Sequence, residues 1–235
     1  MSRYLAILRK TRREDELFGR PAATPANGRE RWRPLMQEIF HRRGVPAPQA
    51  VGFASATPGE GASFVAAHVA LEVARSTGRP TLLLEANLHR PAQATQHGVD
   101  PDPGLRQLAS NPEVTLESCL QPSPTGSLWI LPAGSNGVNG SKALPDWSRL
   151  ERAFAAMRER FPAILVDLPP VNLSGEAILV GTLLDAVVLV VEAGLCSREV
   201  VEHAATRLRR ADLNVIGAVL NKRKLPIPEP LYRRL

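Results

Sequence analysis

Apolar positions along this chain switch repeatedly between two periods, and the switching predicts strands alternating with helices. Unbroken apolar runs of strand length stand at 50–55, 81–85, 128–131, 163–167, 186–191 and 215–220. Between them, apolar residues recur three and four apart. Residues 63–77 put Phe64, Ala67, Val69, Leu71 and Ala74 on a helix-compatible face, with Gly78 as the stop signal. Residues 147–160 turn Leu150, Phe154 and Met157 inward and end before Pro162, and 197–210 form a further helix. The apolar stretch 178–191 is broken by Gly181, Thr182 and Asp185, so it reads as helix, turn and strand. Segment 87–124 is irregular, with short helices at 105–109 and 116–120, and 134–141 is a loop rich in Gly, Ser and Asn. Strands apolar throughout are buried on both faces. The predicted fold class is therefore α/β, a mostly parallel sheet with helices on both faces.

Ahead of this pattern, residues 1–18 suggest a short basic amphipathic helix with Leu5, Ile7 and Leu8 on one side. A linker rich in Pro, Ala and Gly follows at 19–28. Residues 29–42 form another helix, with Trp32, Leu35, Met36, Ile39 and Phe40 at helical spacing and Pro34 near its start. The chain divides into an N-terminal basic and helical extension (1–45), one α/β domain (46–225) and a basic, Pro-rich tail (226–235).

Composition narrows the functional classes. The chain has 235 residues and a formal net charge of +6, with basic residues gathered toward both ends. Such charge suits an anionic surface, and peripheral membrane contact through the N-terminal segment is one use for it. Nucleic acid is an unlikely partner, because there are no interleaved aromatics and no helix-turn-helix or zinc pattern. No window is apolar enough to span a bilayer, and the first residues do not read as a secretory signal, so a cytoplasmic location is expected. Cys119 and Cys196 share no metal or disulfide spacing.

The chemistry begins after the first core strand. From Val51 to Ser63 the chain reads as strand, tight turn and helix start. Backbone N–H groups of such a turn, with the helix N-terminus behind it, can surround a phosphate. Pro58, Gly59, Glu60, Gly61, Ala62, Ser63 and Phe64 are the candidate nucleotide-binding residues here. A P-loop carries lysine where this chain has Ala62. Further along, Glu85, Asn87 and His89 follow the strand at 81–85, and Asp167 ends the strand at 163–167. In an open α/β sheet these strand ends share the ligand edge. A carboxylate there can hold magnesium directly or through water. Asp167 and Glu85 are the candidate catalytic groups, Ser63 and Asp167 the candidate metal ligands. Asn221 ends the last strand with an amide suited to a base edge.

Together these segments resemble the bacterial tyrosine kinases of capsule and exopolysaccharide synthesis, a branch of the MinD/ParA-like P-loop NTPases. The resemblance runs from about residue 30 to 222. It rests on Pro58-Gly59-Glu60-Gly61, on Leu131-Pro132-Ala133-Gly134 and on Asp167-Leu168-Pro169-Pro170, in order and at matching spacing. It implies a P-loop NTPase fold and ATP or ADP with magnesium as cofactors. Within it Ser63 and Asp167 serve the metal, and Asn221 approaches adenine. It also implies a membrane polysaccharide co-polymerase as partner, met through that protein's cytoplasmic tail, and possible homo-oligomers.

The chain departs from that family's pattern at several places. Ala62 replaces the P-loop lysine. Glu85, Asn87 and His89 stand where the family has Asp-x-Asp-x-Arg. Asn87 carries no negative charge, and His89 is no permanent forked cation. The ring-forming Glu-x-x-Arg-x-x-Arg pattern is met by Glu30 and Arg33 and broken by Met36. Only two tyrosines occur, Tyr4 and Tyr232, where active members carry a C-terminal cluster. The expectation is a degenerate kinase-like regulator or scaffold of exopolysaccharide biosynthesis and export, a pseudokinase. The alternatives are an active ATP-dependent tyrosine autokinase and a MinD/ParA-type positioning ATPase.

Overall fold

The computed structural model describes residues 4–9, 32–41, 44, 46–135 and 146–223. Its strands are β1 (Tyr4–Arg9), β2 (Ala50–Ser55), β3 (Thr81–Glu85), β4 (Gln121–Pro122), β5 (Leu128–Leu131), β6 (Ala163–Asp167), β7 (Ala186–Glu192) and β8 (Val215–Arg223). Its helices are α1 (Arg33–Phe40), α2 (Ala62–Thr77), α3 (Gln93–His97), α4 (Leu105–Ser110), α5 (Leu116–Cys119), α6 (Trp147–Arg160), α7 (Glu176–Gly181) and α8 (Arg198–Arg210). All strands join one sheet in the order β1-β8-β7-β2-β6-β3-β5-β4. The pairs from β8 to β5 are parallel, and the two edges, β1 on β8 and β4 on β5, are antiparallel.

The sheet is covered on both faces, as its unbroken apolar strands require. Alternate residues feed two separate clusters: Leu82, Leu84, Ile164 and Val166 pack with α6, α7 and α8, whereas Leu83, Leu165, Val51 and Phe53 pack with α1 and α2. Helix α1 enters the core through Trp32, Leu35, Met36 and Ile39. Met36, the residue that breaks the ring pattern, is thus committed to packing, while Arg33 pairs with Glu72 on α2 at 3.6 Å. Helix α6 starts where Asp146 accepts N–H bonds from Ser148 and Arg149, a side-chain cap that satisfies free donors of the first turn.

One expectation is overturned. Residues 4–9 form an edge strand, not part of an amphipathic helix, and pair antiparallel with β8 from Tyr4↔Arg223 to Arg9↔Gly217. A short apolar run fits either period, and an open sheet edge with unpaired backbone groups decides the matter in favour of a strand. Within 87–124 the short helix α3 and the two-residue strand β4 are additional to what periodicity gave. The linker at 19–28, Glu30, the tail at 226–235 with Tyr232, and most of the loop at 134–141 lie outside the described residues.

Candidate nucleotide site

Parallel strands ending at one edge bring β2, β3, β6, β7 and β8 to the same rim, and the loop 56–61 crosses it between β2 and α2. Gly59 and Gly61 hold φ angles of 91° and 93°, the left-handed region that side chains avoid. A Cβ on Gly61 would also lie 2.3 Å from Nδ2 of Asn221. Glu60 is fully buried. Its Oε2 accepts from Thr57 N at 2.7 Å and its Oε1 from Glu192 N at 3.4 Å, which folds the turn back and ties it to the end of β7.

Strand β8 grips the outside of this loop. Asn221 Nδ2 donates to the Glu60 carbonyl at 2.9 Å, and Lys222 Nζ donates to the Gly59 carbonyl at 2.6 Å and to Glu192 Oε2 at 2.7 Å. The carbonyls of Gly59 and Glu60 are therefore taken. Among the described residues, no acceptor meets the N–H groups of Gly59, Glu60, Gly61, Ala62 or Ser63. A row of free donors at the head of a 16-residue helix is suited to an anion.

Beneath the loop lie the acidic strand ends. Glu85 and Asp167 are register partners on β3 and β6, and both are fully buried. Asp167 Oδ1 accepts from Ser63 Oγ at 3.0 Å, and its Oδ2 accepts from Gln93 Nε2 at 2.9 Å. Gln93 Nε2 also donates to the Ser63 carbonyl at 3.1 Å. Burial pushes the Asp167 carboxyl up to about 7; the Gln93 and Ser63 hydrogen bonds oppose the rise, and neighbouring Glu85 adds to it. Glu85 has a different task. Its Oε1 accepts from the backbone N–H groups of Ala92 and Gln93, and its Oε2 from Ala133 N at 3.1 Å. It caps α3 and anchors the loop after β5.

The sequence-predicted residues divide accordingly. Gly59, Glu60, Gly61, Ala62, Ser63, Asp167 and Asn221 come together, with Pro58 on the exposed crest of the loop. The Phe64 ring lies edge-on to Trp32, with centroids 5.7 Å apart, and so faces α1. Asn87 is nearly buried, with Oδ1 unpartnered. His89 is half exposed and its Nε2 sits 3.0 Å from Glu176 Oε2. Sequence reasoning missed Gln93 and Lys222. Gln93 lies in a segment without periodicity, and nothing local marks it. Lys222 follows Asn221 directly, so its nearness to the loop could have been read once β8 was placed there.

No family model matches the chain. Tyrosine-protein kinase YwqD of Bacillus subtilis is 28% identical over 177 residues, which is 75% of this chain and 73% of that protein. Among solved structures, the kinase domain of the Escherichia coli tyrosine kinase ETK superposes with a TM-score of 0.76 at 24% identity, covering 86% of this chain and 79% of that one. The chain is thus similar in sequence and in fold to bacterial tyrosine kinases. The septum site-determining protein MinD of Pyrococcus horikoshii, solved with Mg-ADP, shares the fold at a TM-score of 0.60 and 21% identity, covering 72% and 68%. At the head of α2 stands Ala62, which is 6% exposed and packs among α2 and β2 residues. No described helix is long and apolar enough to cross a membrane.

Proposed function

We propose that this chain is a degenerate member of its family, a pseudokinase that acts as a regulator or scaffold in exopolysaccharide or capsule biosynthesis and export. It docks on the cytoplasmic tail of a membrane polysaccharide co-polymerase and carries an ATP- or ADP-shaped pocket. Residues 46–225 form the working domain, with 1–45 and 226–235 as its extensions. The observation that carries the reading is Ala62 at the head of α2, in a cradle of backbone donors that supplies no ammonium of its own. Phosphoryl transfer depends on placed positive charge, so losing that cation removes more from catalysis than from binding. The test is incubation of the purified full chain with radiolabelled Mg-ATP, read by phosphotyrosine analysis. The expected result is no label, and ATP-dependent label on Tyr4 or Tyr232 overturns the reading.

One observation favours the active autokinase. Lys222 Nζ lies 2.6 Å from the Gly59 carbonyl, on a flexible four-carbon arm. If that arm turns inward when nucleotide binds, Lys222 supplies the missing charge. Tyrosine labelling that disappears in Lys222→Met identifies this route.

A further inference from the structure

The family's fold implies magnesium at Ser63 and Asp167, yet the donors present fit that ion poorly. Magnesium demands near-ideal octahedral oxygen coordination at about 2.0–2.1 Å and dehydrates reluctantly. Every carboxylate oxygen within reach already accepts a hydrogen bond from the protein: Asp167 from Ser63 and Gln93, Glu85 from Ala92, Gln93 and Ala133.

Gln93 is the group that closes the site. It is fully buried, and its Nε2 bridges Asp167 Oδ2 and the Ser63 carbonyl, so both amide hydrogens are used. Its orientation follows from the Ser63 carbonyl, which can only accept, so the amide nitrogen must face it. Its backbone is fixed as well, since Glu85 Oε1 accepts the Gln93 N–H at 2.8 Å while Ala133 holds the other Glu85 oxygen. A cation approaching Asp167 Oδ2 would have to break two hydrogen bonds, one of them buried, and displace a side chain tied to two other chain segments.

Building on the nucleotide reading above, we propose that this pocket binds its nucleoside diphosphate or triphosphate without a divalent cation, the Gln93 side-chain amide standing in for the metal between Ser63 and Asp167. The phosphates meet the free N–H groups of residues 59–63 and the start of α2, which need no cation to be donors. The amide keeps Asp167 and Ser63 in place beneath them.

The test is calorimetric titration of the full chain with ADP, once in excess magnesium and once in excess EDTA. The two dissociation constants should agree within about twofold, whereas tightening by about tenfold or more in magnesium overturns the inference and leaves the nucleotide reading intact. Gln93→Glu places a third carboxylate beside Asp167 and should make ADP binding magnesium-dependent by about tenfold. Circular dichroism establishes that this variant is folded; a folded variant as indifferent to magnesium as the parent overturns the role of Gln93. If the parent chain binds no ADP in either solution, the nucleotide reading fails and the inference falls with it.

Discussion

Glu85 and Asp167 face each other across the β3–β6 pairing, two fully buried carboxylates in register at the ligand edge of the sheet. The protein divides their roles. Glu85 takes three backbone N–H donors and becomes a structural anchor. Asp167 has two side-chain donors, which offset only part of the rise that burial imposes on its carboxyl.

That rise sets a pH dependence. An Asp whose folded pKa, about 7, lies above its unfolded value binds its proton more tightly when folded. Its contribution to stability is complete below about pH 4 and is lost as pH rises through about 7. Asp167→Asn removes the ionisation, so thermal melts should show the variant gaining on the parent between pH 5 and pH 8, by on the order of 1–3 kcal/mol. A difference that is flat across this range would contradict the assignment.

Asp185 predicts the opposite slope. Partial burial disfavours its charge, but hydrogen bonds from Arg158, Ala50 N and Gln49 N outweigh that and hold its carboxyl below the usual range. The stabilisation is present above the unfolded pKa and is lost as pH falls through the folded one. Asp185→Ala unpairs the start of β2 and the Arg158 guanidinium at once. Urea unfolding at neutral pH should register a loss of about 1–2 kcal/mol, less in high salt because the pair is partly exposed.

Ala62→Lys restores an ammonium at the head of α2. Hydrogen bonds to charged groups contribute about 1.5–3 kcal/mol, so ADP and ATP affinity measured by calorimetry should rise about tenfold or more. Unchanged affinity would mean that residues 59–63 do not surround the phosphates.

Gly61→Ala tests the loop's grip on β8. The left-handed φ costs a non-glycine residue roughly 1–2 kcal/mol, and the new methyl would meet Asn221 Nδ2. Asn221→Ala opens that space. In melting experiments the double variant should therefore lose less than the two single losses added together. Strict additivity would show that the contact carries no strain.

The central strands were legible because residues buried on both faces must be apolar throughout, and 50–55, 81–85 and 163–167 are read directly as β2, β3 and β6. The loop from Pro58 to Ser63 was legible because a strand-to-helix turn of that tightness needs glycine at fixed places. Residues 4–9 were misread as helical because six residues offer too few periods to separate helix from strand. Gln93 left no trace, since its role depends on residues 30 positions before it and 74 after it.

Sequence alone settled which segments are buried, where the tight glycine turn between β2 and α2 falls, and that Ala62 brings no charge to it, since these follow from local period, backbone freedom and side-chain chemistry. Only the tertiary structure decided that Glu85 is an anchor, that Lys222 clamps the loop, and that Gln93 occupies the Asp167 oxygen left over by the Ser63 hydroxyl. Those outcomes depend on which strand ends meet at one edge, and hydrogen bonds between distant segments are fixed by packing rather than by any neighbour in the chain.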